Sequence, residues 1–133
     1  MSEARHALLE AVYGALTGDA ALDALLSGVF DEVPRGADYP FVAFGEMASR
    51  ALDGDAAGTV EHRFEILVHS RAAGRREASD IAERVVGLLD GAALTLDGHR
   101  LDGLAHRETS VRASRDRRAY VARLRFRALT EAI

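Results

Sequence analysis

The sequence contains no cysteine and no tryptophan, only two prolines, and not one lysine: all 17 basic residues are arginine. Without cysteine there is no disulfide framework, no thiolate nucleophile and no Cys-based zinc or iron–sulfur site. Long hydrophobic runs are missing as well. The first apolar stretch, Ala7 to Leu16, is broken by Glu10 and followed by Gly18 and Asp19, well short of the roughly 20 apolar residues that a membrane-spanning helix needs. The start Met1-Ser2-Glu3 has no positive segment ahead of an apolar one, so the expectation is no secretory signal and synthesis in the cytoplasm.

Catalytic patterns are equally scarce. No His-Glu-x-x-His or His-x-His pairing is present among the five histidines. His62 and His69, and likewise His99 and His106, are an odd seven residues apart, which predicts opposite faces of a strand and no shared ligand. No Gly-x-Ser-x-Gly turn exists to strain a serine nucleophile. Gly14 and Gly18 sit at a predicted helix end, where stopping and packing account for them better than a phosphate loop does. The expectation is a protein that is not an enzyme and holds no cofactor or metal.

What is present suits one folded domain, 1–133. The chain has 133 residues, 48% hydrophobic and 29% charged, and surface scaling gives roughly 6,800 Å² folded against about 21,000 Å² unfolded. Charge is unevenly spread: residues 1–61 carry three arginines and eleven acids, residues 62–133 fourteen arginines and ten acids. An acidic half and a basic half suit head-to-tail contact between copies. A basic half is also compatible with a nucleic-acid surface.

Periodicity predicts a helix over 3–17 behind Ser2, and a short one capped by Asp19. A brief extended piece at 29–33 and a turn at 34–38 lead into a strand over 41–47. Residues 48–58 show no periodicity and read as a long loop. Its Asp53, Gly54, Asp55, Ala56 and Ala57 are the candidate contact with a neighbouring subunit or another partner, because the segment has too few apolar groups to order itself. A strand over 59–69 follows, with Val60, Phe64, Ile66 and Val68 on one face and Glu61, Arg63 and Glu65 on the other. A second long amphipathic helix spans 74–90, stopped by Gly91. Residues 94–101 form a hairpin through Asp97-Gly98, for which a type I′ turn is expected, and strands over 104–113 and 120–128 complete the chain. The predicted fold class is α+β: an antiparallel β-sheet with two main α-helices packed on one face.

Two arginine groups are candidates for charge pairing at an interface. Arg71, Arg75 and Arg76 precede the second long helix, with Glu77 and Asp80 placed to neutralise them. Arg123, Arg125 and Arg127 alternate along the last strand, like charges about 7 Å apart that require anionic partners. Those partners can be carboxylates of this chain or its copies, or phosphates. Protein partners are favoured, because nucleic-acid modules interleave aromatics with the basic stripe and here Tyr120 and Phe126 occupy the opposite face. A small nucleic-acid-binding module using the stripe is the alternative.

Several short segments, taken in order, carry a resemblance. They are Ala-Leu-Thr-Gly-Asp-Ala-Ala-Leu (15 to 22), Val-Phe-Asp-Glu-Val-Pro (29 to 34), Tyr-Pro-Phe-Val (39 to 42), Glu-His-Arg-Phe (61 to 64), Val-His-Ser-Arg (68 to 71), Leu-Thr-Leu-Asp-Gly-His-Arg-Leu (94 to 101) and Leu-Arg-Phe-Arg-Ala-Leu-Thr-Glu (124 to 131). Together they resemble the tail-completion, or tail-terminator, family of long-tailed phages, above all its members in bacterial gene transfer agents. The resemblance implies a ring-forming subunit, usually six copies, at the neck of the particle. Its partners would be the other copies, the tail tube protein and the head connector or stopper, with DNA as cargo through the lumen and no membrane. It implies no catalytic residues.

Overall fold

The computed structural model describes residues 2–52 and 58–133. Helix α1 (Ser2–Thr17) buries Ala4, Ala7, Leu8, Val12 and Leu16, a stripe at three- and four-residue spacing that gives the helix one apolar side. Ser2 is the first helical residue and does not cap it. The short α2 (Ala20–Asp23) does have a side-chain cap: Asp19 accepts a 2.9 Å hydrogen bond from the Leu22 amide. Helix α3 (Arg76–Leu89) is the most amphipathic element and turns Ala78, Ile81, Ala82, Val85 and Leu89 inward. It ends at Gly91, whose φ of 72° ordinary residues resist, and the Gly91 amide then donates to the Leu104 carbonyl at 2.8 Å, tying the helix end to the sheet.

Among the described residues, six strands form one sheet in the order β1-β2-β3-β6-β5-β4. They are β1 (Val29–Phe30), β2 (Phe41–Ala51), β3 (Val60–Ser70), β4 (Thr95–Leu96), β5 (His99–Ala113) and β6 (Tyr120–Ala132). All pairings are antiparallel except the edge pair β1–β2, which is parallel. The expected antiparallel sheet is therefore mixed at one edge, because the connection over residues 31–40 returns the chain to the end where β1 began, so that β2 runs alongside it in the same direction.

Helices cover one face. Phe64, Ile66 and Val68 of β3 and Ala122, Leu124, Phe126 and Ala128 of β6 pack with the buried stripes of α1 and α3, and the Phe64 and Phe126 rings stack at 5.4 Å. Side-chain alternation then forces Glu61, Arg63, Glu65, Arg123, Arg125 and Arg127 onto the uncovered face.

Three local expectations need correction. Residues 48–51 are not loop: Ser49 and Arg50 pair with His62 and Glu61 in the β2–β3 ladder. A bulge between Phe44 and Met47 breaks the alternation that would have marked a long strand. The Asp97-Gly98 turn has positive φ only at Gly98, 70°, whereas a type I′ turn needs it at both residues. Finally, His99 and His106 share a face. Their β6 partners are Ala132 and Phe126, and a register shift between Leu101 and Gly103 inserts the extra residue that cancels their odd spacing. Six strand positions still keep them about 20 Å apart.

Candidate functional site

The uncovered face of the sheet carries two carboxylates ringed by arginines. Glu61, only 4% exposed, accepts from Arg127 Nε at 2.7 Å and Arg50 Nε at 2.9 Å, with Arg63 Nε at 3.4 Å. Arg63 and Arg127 stand directly opposite each other across β3–β6, a repulsive pairing that Glu61 relieves by lying diagonally between them. The Arg127 hydrogen bond, followed by those of Arg50, pulls the Glu61 carboxyl down to about 2 against an opposing desolvation. Glu65 repeats the arrangement one step along, at 3.3 Å from Arg125 Nε and 3.6 Å from Arg123 Nε. Arg125 also reaches Glu108 on β5 at 3.1 Å.

The stripe Arg123, Arg125 and Arg127 thus meets its counter-ions inside the sheet. Sequence reading placed Glu61 and Glu65 correctly on the polar face of β3 but could not see that β3 lies beside β6. That adjacency joins residues 60 positions apart in the chain.

Arg71, Arg75 and Arg76 do not act as one cluster. The Arg71 guanidinium lies 4.5 Å from the Tyr39 ring centre, Arg75 lies 5.3 Å from that of Tyr120, and Arg76 pairs with Asp80 at 3.7 Å. Glu77, expected to neutralise them, instead accepts from Ser70 Oγ at 2.7 Å. Asp53, Gly54, Asp55, Ala56 and Ala57 lie outside the described residues.

Beneath the sheet, His62 has zero exposure and both ring nitrogens engaged, Nδ1 with Ser49 Oγ at 2.7 Å and Nε2 with Thr130 Oγ1 at 2.9 Å. Burial, reinforced by the positive Arg5, lowers its pKa to about 4, so the ring is neutral at physiological pH. With both nitrogens committed and no exposed edge, this trio locks β2, β3 and β6 together. Among the described residues no three His, Asp or Glu side chains converge as a metal site.

A second charged feature escaped the sequence reading, which named only the strands on either side of it. The β5–β6 hairpin ends in exposed Arg112, Arg115, Arg117 and Arg118. Asp116, the single acid there, is spent on shaping the turn, accepting from Ser114 Oγ at 2.6 Å and the Arg118 amide at 3.1 Å.

The comparisons with known proteins agree with this architecture. The family described as tail completion protein gp17 matches residues 10–131. A chain in the structure of the virion of a native gene transfer agent particle is 33% identical, with a TM-score of 0.88 over 96% of this chain and 97% of that one. The gp17 protein of bacteriophage SPP1 shares the fold at 21% identity, with a TM-score of 0.65 over 98% of this chain and 91% of that one. None of the curated proteins is detectably similar in sequence. A family match running nearly end to end, and a 33% identical chain that superposes over nearly all of its length, lead to one conclusion: this protein belongs to the tail completion protein gp17 family.

Proposed function

We propose that the chain assembles as a closed homo-oligomeric ring of six copies in the neck of a phage-like particle. The ring caps the head-proximal end of the tail tube and joins it to the head connector, with DNA passing through the lumen. The observation that carries this reading is the end-to-end likeness to a chain of a gene transfer agent virion. The role is structural, so no side chain is assigned a catalytic part. A rigid sheet backed by helices offers two ends, one for the tube and one for the connector, and residues 53–57 are proposed to touch a neighbour or the tube.

The competing nucleic-acid reading rested on the Arg123, Arg125 and Arg127 stripe. Those guanidiniums are engaged by Glu61, Glu65 and Glu108, which ties them to carboxylates of the same sheet and weakens their hold on phosphates, and DNA that must slide is better served by such a face.

Deleting the gene tests the proposal. Cells should accumulate filled heads apart from tails, with the tails irregular or excessive in length, and purified protein added to the extract should restore joined particles. Normally joined, transferring particles from the deletion strain would overturn it.

A further inference from the structure

The register fixes where the unpaired charges sit. Phe41 on β2, His69 on β3, Val121 on β6 and Arg112 on β5 form one row across the sheet. The segment just before Phe41 and the hairpin tip just after Ala113 therefore lie at the same end of the sheet. They stand on opposite sides of it, about 14 Å of strand spacing apart. On the β1–β2 side, Asp31, Glu32 and Asp38 are exposed, against Arg35 of the same turn. On the β5 side stand Arg112, Arg115, Arg117 and Arg118, against Asp116. Among the described residues, none of these three carboxylates and none of these four guanidiniums belongs to an ion pair.

The acidic side is also concave. A cleft of about 520 Å³ is lined by Val33, Pro34, Asp38, Tyr39, Phe41 and Arg71, and Val33 is 41% exposed. Its aromatic wall already accepts a guanidinium, that of Arg71 on Tyr39, and its rim is anionic. A projecting, arginine-tipped hairpin is the complementary shape and charge. No such hairpin of the same molecule can reach it, since β3 and β6 stand between.

We propose that the β5–β6 hairpin tip of one copy, through Arg112, Arg115, Arg117 and Arg118, seats on the Asp31, Glu32 and Asp38 corner of the next copy. This rests on the ring reading above and names the surfaces that close the ring. Two complementary patches at equal height on opposite sides of a subunit permit a flat ring where the rotation between copies closes, whereas patches at different heights would climb into a filament. The arginine stripe of the uncovered face, already paired within the sheet, takes no part in the contact.

Charge reversal tests it, in the full chain mixed with tail tube protein, by native mass measurement at low salt. Wild type should run as the ring. Arg115→Glu with Arg118→Glu, and separately Asp31→Arg with Glu32→Arg, should each lower the ring fraction at least tenfold while circular dichroism stays unchanged, and the four changes combined should restore it. Because the chain lacks cysteine, Asp31→Cys combined with Arg115→Cys should give an interchain disulfide ladder under mild oxidation. Normal ring assembly by either reversed variant, a folded combined variant that stays monomeric, or no ladder would overturn the pairing and leave the ring standing. A wild type that remains monomeric beside the tube would overturn the ring and the pairing together. Normal assembly combined with duplex DNA binding at physiological salt, lost in Arg115→Glu/Arg118→Glu, would make the hairpin a phosphate contact instead.

Discussion

Two buried polar residues carry opposite lessons about charge. Glu61 stays ionised because three guanidiniums surround it, so its carboxyl sits at about 2 in the fold against 4.5 unperturbed. A carboxyl whose pKa falls on folding contributes stability that is present above the unperturbed value and is lost as pH drops toward the folded one. Acid titration should therefore weaken the fold between about pH 4.5 and 2. Glu61→Gln should flatten that segment of a thermal-melt-against-pH curve and lower the melting temperature at pH 7, since Arg50 and Arg127 lose their shared partner. His62 stays neutral because the core excludes its charge. Its pKa falls from 6.5 to about 4, so the unfolded chain binds the extra proton, and stability is lost as pH falls through that window. The loss reaches about 3 kcal/mol once both states are protonated. His62→Gln should reduce the slope between pH 6.5 and 4, measured by denaturant midpoints, and leave the part due to His69, whose pKa burial also lowers. An unchanged slope would place the titration elsewhere.

At the scale of elements, the sheet depends on its β3–β6 centre, and Phe126 is the largest fully buried side chain there, 1% exposed and in ring contact with Phe64 and His106. Phe126→Ala should cost about 3–5 kcal/mol of unfolding free energy by urea melts, whereas Arg125→Gln, at a half-exposed pair, should cost less than about 1 kcal/mol. The helices, the alternation of β3 and β6, and the stop at Gly91 were legible because a single period marks each. The end of β2 was not. Its bulge shifts the phase midway, so Met47 and Ser49 face the core out of step with Val42 and Phe44. The same physics moved His99 and His106 onto one face: a bulge leaves no trace in composition, only in pairing.

For the whole molecule, the acidic and basic halves seen in the sequence resolve into something more local. Much of the basic half is spent internally, on Glu61, Glu65, Glu108 and Glu131, and the excess that remains gathers at the β5–β6 tip. Raising salt should therefore weaken assembly more than folding, since exposed charges are screened over about 10 Å while buried pairs are screened much less. In 0.5 M salt the expected outcome is a lower ring fraction at a melting temperature nearly equal to that in 0.05 M. A parallel fall of both would tie assembly to the internal network.

The amino-acid sequence by itself determined the helices and most strands, the α+β class, the split between buried and polar faces, and a family resemblance carried by short motifs in order. Each of these depends on neighbours within a few residues, or on a linear pattern, and so is written locally. Tertiary structure alone decided which strands lie side by side. That choice set Arg127 against Glu61 and Arg125 against Glu65, buried His62 between Ser49 and Thr130, and left the hairpin guanidiniums outside every ion pair among the described residues. Charge becomes free or spent only when distant segments meet, because Coulomb attraction in water needs contact within a few ångströms to matter.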